Sequence, residues 1–441
     1  MLVPEQFYIP PVGSSDELVQ SLPAMSMWDK GVLDHEKETV FRDSWLCMPK
    51  QLIRQFNPDV RSIYARPAPG HPYIDVLKGR GNATKIRTLG ESVMLFRGSE
   101  PKGNPELRCF KNMCPHARYP MLEVAHDSDG ELYIKCEQHG LVCNEYGKFV
   151  SHRAFPNATP EQRRRLSMPD YKVREWFDFF FIARTDSPPY SFEDTMRPVW
   201  ESLARLPLDE FKYRSIGAEQ RIVEGNWKLQ ALNYEDWLHI RDIHKRPSGL
   251  ADAMDLESAR MELYDDVTLM WAYAADPADG FDPKFLPDRF KDPSDPDGRR
   301  VYALWWFVYP NLTLNFYPWG LSVNIYMPAM VDTERMKFDP EKTEFLWYHY
   351  VWDEAKYRDI DSRWLNEQVD FEDVEAIKYI AENLRSHAHP RSRGLFGNLM
   401  TGPNTETGPW WLNRKIYNSM FEPHAEVMIP RVRKLYPAAA I

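Results

Sequence analysis

The rhythm of apolar and polar positions changes part-way along the chain. Residues 27–46 place Trp28, Val32, Leu33, Val40, Phe41 and Trp45 at helical spacing among charged residues, which predicts a short helical lead-in. From Trp45 to about Asp170, runs such as residues 92–96, 107–110 and 132–135 are each ended by Gly, Pro, Asn or Asp. That cadence predicts a small antiparallel β-domain. Residues 171–182 read as a hairpin leaving it, and Ser187-Pro188-Pro189 reads as a linker. Beyond the linker the pattern mixes periods. A helix is predicted around residues 226–244. An Asp/Pro/Gly-rich stretch follows at residues 276–299, either a lid or binding loop or a disordered surface insertion. Three aromatic strand-like runs come next, at residues 301–312, 313–327 and 344–352. A helix near residues 370–386 carries Val374, Ile377, Ile380, Ala381 and Leu384 on one face. The fold class is therefore α+β: a small antiparallel β-domain and a larger domain whose antiparallel sheet is packed by helices. The expected boundaries are 1–44 for the lead-in, which would pack on the larger domain, 45–170 for the first domain and 171–441 for the second.

Composition narrows the function. The chain has 441 residues, 43% of them hydrophobic, enough for two or three cores. Its formal net charge of −10 weighs against a nucleic-acid binder, which needs a basic surface. No secretory signal and no apolar stretch of about 18 residues is visible, so a soluble, cytoplasmic protein without membrane attachment is expected. The cysteines are Cys47, Cys109, Cys114, Cys136 and Cys143. An odd, sparse set in a long chain points to metal binding rather than to a disulfide framework.

The strongest motif is Cys114-Pro115-His116 with Cys136-Glu137-Gln138-His139. Two loops that each deliver one Cys and one His match the needs of a [2Fe–2S] cluster held by two thiolates and two imidazoles. The same four ligands would also suit structural zinc. Cys143 lies nearby and reads as packing. The second motif runs from Asn233 to His244 and contains Asp236, His239 and His244. Non-haem iron oxygenases hold their metal with two His and one carboxylate on one face. His239 and His244 are five apart, about 140° around an ideal helix, so the helix must end or distort between them. Pro247-Ser248-Gly249 offers a terminator. Alone, this pair reads better as two unrelated helix histidines.

In its residues 107–116 and 136–147 the chain resembles the Rieske domain of ring-hydroxylating and related oxygenases. Gly225-Asn226-Trp227-Lys228 and the 233–244 segment resemble the catalytic-domain helix of the same family, in the same order. There are departures. Ala117-Arg118 stands where the family has Arg-Gly, Leu141 stands where it has an aromatic, and Leu232 replaces an acid before Asn233.

The resemblance implies a Rieske domain over 45–170 and a helix-grip-like catalytic domain over 171–441. It implies cluster ligands Cys114, His116, Cys136 and His139, and a mononuclear Fe(II) held by His239, His244 and Asp373. Asp370 and Glu372 stay open as alternatives to Asp373. Asp236 would bridge His239 to His139 of a neighbouring subunit, and Asn233 would stand in the site wall. The implied activity is O₂-dependent hydroxylation of an aromatic or similar small molecule, by mono- or dioxygenation. Electrons would come from an NAD(P)H-dependent reductase, with or without a ferredoxin, and the assembly would be a homotrimer. The aromatic strands at 301–327 and 344–352 would line part of the pocket. Two other readings remain: a monooxygenase or N-demethylase of a choline- or betaine-like quaternary ammonium compound, and a Rieske electron carrier without oxygenase activity.

Overall fold

The computed structural model describes residues 2–11, 18–51, 83–89, 91–97, 106–121, 123–126, 132–216, 220–245, 247, 249–295, 298–332, 335–359, 362–397, 399, 405–425 and 427. Residues 52–82, within the expected first domain, and Ser248 of the expected helix terminator lie outside them. The chain forms two compact units.

The smaller unit comprises Phe41–Pro188 and Met330–Lys337. Its six-stranded sheet runs Leu46–Pro49, Phe179–Ala183, Asp170–Trp176, Leu107–Lys111, Glu91–Arg97, Ala83–Thr88. A four-stranded sheet runs Glu123–His126, Leu132–Lys135, Val142–Asn144, Phe149–Ser151. The hairpin at residues 170–183 does not leave this unit. Asp170 and Tyr171 pair with Phe110 and Cys109, and Phe179–Ile182 pair with Leu46–Pro49. The hairpin thus completes the sheet of this unit.

The larger unit comprises Met1–Val40, Pro189–Ala329 and Phe338–Ile441. Its sheet runs Lys212–Arg214, Lys337–Val351, Gly320–Asp332, Leu312–Tyr317, Val301–Val308, Val267–Tyr273, Arg260–Leu263, with Gln220–Glu224 also on Lys337–Val351. The run expected as one strand at 313–327 is two strands. Gly320 turns the chain so closely over the Tyr350 carbonyl that any Cβ would collide with it. Four strands were not foreseen: Lys212–Arg214, Gln220–Glu224 and Arg260–Leu263 are only three to five residues long, and Val267–Tyr273 is buried throughout and shows no alternation. Val301–Val308 is buried along its whole length because both faces are covered. On one face Phe307 meets Tyr234 and Trp411. On the other, Trp306 donates its indole N–H to Ser202 of the helix Phe192–Leu203, 3.1 Å away.

Helices build the site face. The lead-in helix Lys30–Glu38, capped by Asp29, sends Glu36 inward. Glu36 accepts from Lys228 Nζ at 2.6 Å and from the Trp227 indole at 2.9 Å, all three residues being buried. This locks the start of the helix Trp227–Glu235. The expected single helix at 226–244 is two, Trp227–Glu235 and His239–Ile243, because the backbone turns extended at Asp236. Ser362–His387 packs on the first of them. The Asp/Pro-rich stretch is ordered in its described part. Asp276 and Asp282 cap 3-10 turns, and Phe281, Leu286 and Phe290 are buried. Among the described residues no helix is long and apolar enough to cross a membrane.

A buried helix at Thr407–Phe421 was not foreseen: it is buried nearly all round, Asn413, Arg414, Lys415 and Asn418 included, and so shows no amphipathic stripe. It lies against Trp227–Glu235. Gly408 touches the Glu235 carbonyl and side chain so closely that a Cβ has no room. Gly408→Ala should therefore cost about 1–3 kcal/mol by forcing the two helices apart. Denaturant unfolding of the variant checks this, and an unchanged midpoint would refute the close packing.

Candidate metal centres

In the smaller unit, two turns of nearly the same design carry the Cys–His pairs. In the first, the Cys114 amide donates to the Tyr119 carbonyl at 2.7 Å, and the Cys114 carbonyl accepts from the Arg118 amide at 2.8 Å. In the second, the Cys136 amide donates to Leu141 at 2.8 Å, and the Cys136 carbonyl accepts from Gly140 at 2.9 Å. The fourth residue after each start is left-handed, Arg118 at φ +63° and Gly140 at +73°. Both cysteines are fully buried, His116 is half-buried and His139 is exposed. The two imidazoles lie edge to face with centroids 5.0 Å apart. Burial pushes the Cys114 thiol up, against amide donation from Ala117 and His116, and neighbouring Cys136 pushes it further. His116 Nδ1 is buried without a hydrogen-bond partner. Two inner sulfurs, two outer imidazoles and an orphaned ring nitrogen fit a mixed Cys/His [2Fe–2S] cluster.

Cys143 belongs to the packed interior. Its thiol donates to the Leu166 carbonyl, and burial pushes it up to about 12. Gly147 lets the chain close over the Phe110 ring, where a Cβ would sit 2.6 Å away. One neighbour went unforeseen: the His152 ring centroid is 4.4 Å from that of His116. Burial, then the His116 and His139 rings, holds its pKa down. Its Nδ1 accepts from the Ala154 amide at 3.1 Å, so the ring proton is on Nε2. The only sequence signal was its place just after the second loop.

In the larger unit, His239 opens its helix, and His244 ends it at φ −93°, ψ +33°. The break at Asp236 and the stop at His244 bring both Nε2 atoms to 3.2 Å. Asp373, on Ser362–His387, places Oδ1 3.1 Å from His244 Nε2 and 3.4 Å from His239 Nε2. These three donors lie within 4.8 Å of one another. Separations near 3 Å are what metal–ligand bonds of about 2.1 Å produce. Asp373 Oδ1 is buried without a hydrogen-bond partner. Burial alone would lower the His239 pKa, but Asp236 and Asp373 outweigh it and raise it to about 10. Burial alone would raise the Asp373 carboxyl, yet His239 and His244 hold it well below its ordinary range. The site favours positive charge, and the donor set of two imidazoles and one carboxylate fits iron(II).

The three candidate acids take separate places. Glu372 Oε2 lies 2.8 Å from His244 Nδ1 and is steadied by Gln368 at 3.1 Å. It fixes the ring so that Nε2 faces Asp373. Asp370 pairs with Arg221, whose guanidinium lies over Phe345. Asp236 accepts from the Leu238 amide at 2.8 Å, and its other oxygen is 3.7 Å from His239 Nδ1.

A cavity opens onto the three donors. Trp237, Trp305, Tyr317, Tyr326, Phe345 and Trp347 wall it, and Asn233 joins them. Both expected aromatic regions contribute; Gln230, Tyr234 and Met270 were missed. The polar tips are satisfied within the wall: Trp305 Nε1 to Tyr317 at 3.1 Å, Trp347 Nε1 to Ser322 at 2.9 Å, and Tyr234 to Asn315 at 2.7 Å. No Lys or Arg is among the described residues lining it.

Family models match both units. Residues 73–169 match the Rieske [2Fe-2S] domain, and residues 200–408 match the ring hydroxylating alpha subunit (catalytic domain). This chain belongs to the Rieske-type non-haem iron oxygenases. Its cofactors are a [2Fe–2S] cluster and a mononuclear iron. The oxygenase is 21% identical over 354 residues to the carnitine monooxygenase oxygenase subunit of Escherichia coli (strain K12), covering 78% of this chain and 83% of the relative. A quaternary ammonium Rieske monooxygenase solved with an inhibitor has the same fold, with TM-score 0.59, 18% identity and 95% and 98% of the two chains covered. Naphthalene 1,2-dioxygenase from Rhodococcus sp. shares it too, at TM-score 0.58, 15% identity and coverage of 91% and 94%. Like its family, the oxygenase works with O₂ and a reductase.

Two outcomes are expected. Arg118 holds a left-handed conformation that suits glycine, so Arg118→Gly should raise stability by up to about 1 kcal/mol in thermal melts; a lower melting temperature would show that the arginine makes a compensating contact. Glu372→Gln should weaken mononuclear iron binding about 10–100-fold and leave the cluster spectrum unchanged. Equal iron affinity would rule out the supporting role.

Proposed function

We propose that this oxygenase is a monooxygenase acting on a small quaternary ammonium or methylated-amine substrate, with iron held by His239, His244 and Asp373. The observation that carries the reading is the convergence of these three donors on an aromatic cavity. Cys114, His116, Cys136 and His139 are the proposed cluster ligands. When bound, the two metal groups supply stored electrons and O₂ activation. The cavity favours a cation: ring faces attract quaternary ammonium groups, and no Lys or Arg is among the described lining residues. The relative named for carnitine oxidation supports the same substrate class. Of the sequence-based readings, this raises the quaternary ammonium alternative above the aromatic one.

The residues around the iron have distinct tasks in this reading. Glu372 presents His244 in one tautomer. Asp236 does the same for His239 and links it to His139 of a neighbouring copy, so that a closed homotrimer is the working unit. The aromatic walls hold the substrate and exclude water, and Asn233 and Gln230 supply polar contacts beside the metal. An NAD(P)H-dependent reductase, with or without a ferredoxin, delivers the electrons.

The alternative, hydroxylation of an aromatic ring, is favoured by the apolar lining and by the fold shared with naphthalene 1,2-dioxygenase. A screen with a reductase and NADH separates the two. Release of formaldehyde or of a free methylated amine from quaternary ammonium compounds is expected; hydroxylated products from aromatic compounds alone would replace the first reading with the second. Asp236→Asn should keep both metal centres by iron and sulfide analysis yet nearly abolish turnover. Full activity in that variant would refute the bridge.

A further inference from the structure

A row of aromatic rings begins in the iron cavity and continues beyond it. Trp237, two residues before His239, lies 6.0 Å from Trp305. Trp305 lies 6.2 Å from Tyr317 and donates its indole N–H to the phenol. Tyr317 stacks on Trp319 at 5.3 Å, with the rings 9° from parallel. Trp319 lies 5.1 Å from Tyr357. The Tyr357 hydroxyl is 3.1 Å from Nδ1 of the buried His349. Over Tyr357 lies Arg214, half-buried and paired with Glu354. Only Trp237, Trp305 and Tyr317 line the cavity.

Edge-to-face contacts of this kind are ordinary core packing, and packing alone accounts for any one of them. It does not require every ring in the row to be Trp or Tyr, the side chains that surrender an electron most readily. Nor does it require the row to end, beneath Arg214 and its partner Glu354, on a tyrosine that is 9% exposed and hydrogen-bonded to a histidine. That pair is suited to releasing an electron and a proton together.

We propose that this row is an escape route for oxidising equivalents left at the iron when O₂ is reduced without productive substrate. The proposal rests on the assignment of the iron to His239, His244 and Asp373. Each event moves one electron inward along Tyr357, Trp319, Tyr317, Trp305 and Trp237. The Tyr357 phenolic proton moves to His349 Nδ1, so a neutral tyrosyl radical and an imidazolium remain. Two such events, with two protons from water, take one residual oxygen atom to water. After each event a thiol-class reductant in solution restores Tyr357 by one-electron transfer across its remaining exposed edge; the thiol loses its proton to water, and the His349 proton returns to the phenol. The cavity rings are spared covalent oxidation.

The test uses reduced holoenzyme mixed with O₂ in the absence of substrate, freeze-quenched for EPR and digested for peptide mass spectrometry. Iron content and O₂ consumption are measured on the same samples. Wild type should show a tyrosyl signal that narrows on incorporation of ring-deuterated tyrosine. Tyr357→Phe, which keeps the ring and loses only the hydroxyl, should lose that signal. Trp319→Phe should lose it too. Both variants should gain oxygen addition at Trp237 and Trp305. Iron-loaded, O₂-consuming wild type with no tyrosyl signal would overturn the escape route alone, as would a signal and oxidation pattern unchanged in Tyr357→Phe. Protein that binds no mononuclear iron would overturn the metal assignment and the route together.

Discussion

A helix turns about 100° per residue, so side chains five apart face different directions. The iron site depends on defeating that geometry. Asp236 takes an extended backbone at the end of one helix, His239 opens the next, and His244 leaves it one turn later. Only then do two imidazole nitrogens meet one carboxylate. The Glu36–Lys228–Trp227 contact lets the break be so local. It clamps the helix start in a dry, fully paired arrangement, and the helix Thr407–Phe421 presses on its far end at Gly408. With both ends fixed, the chain bends at Asp236 rather than drifting.

The acids show how neighbouring residues on one helix acquire separate work. Asp370, Glu372 and Asp373 span barely a turn. Helical rotation sends Asp370 to Arg221, Glu372 behind His244 and Asp373 to the two imidazole nitrogens. The cluster turns show the converse. There, two stretches with different side chains adopt one hydrogen-bond scheme, because each must project a thiolate inward and an imidazole outward from a tight turn.

The fold class and the metal-ligand candidates were legible because they rest on rare residues at restrictive spacing. Five cysteines and twelve histidines in 441 residues leave few ways to make two Cys–His loops and a His pair. The aromatic strands were legible as cavity walls for a similar reason. Other features were not. The hairpin at 170–183 looks like an exit from its domain, because pairing with residues 46–49 is a long-range contact that no local pattern records. The two-residue turn Pro318-Trp319, between the paired Tyr317 and Gly320, sits inside an aromatic run and was passed over despite its Pro and Gly. The helix Thr407–Phe421 is buried on every side and so lacks the amphipathic stripe by which helices are found. Which of three adjacent acids faces the imidazoles depends on rotation about a helix axis, and sequence shows only that all three are close.

The strand Val301–Val308 has a consequence for change over generations. Its side chains alternate between a ligand-facing surface, with Trp305, and a rear surface, with Trp306 against Ser202. Both rows are buried, but they answer to different demands. A new residue at 305 reshapes the cavity and is judged by what the enzyme oxidises; a new residue at 306 is judged by whether the protein stands. One strand thus offers adjacent positions of opposite evolutionary freedom. Substrate range can drift at position 305 while the scaffold behind it stays fixed.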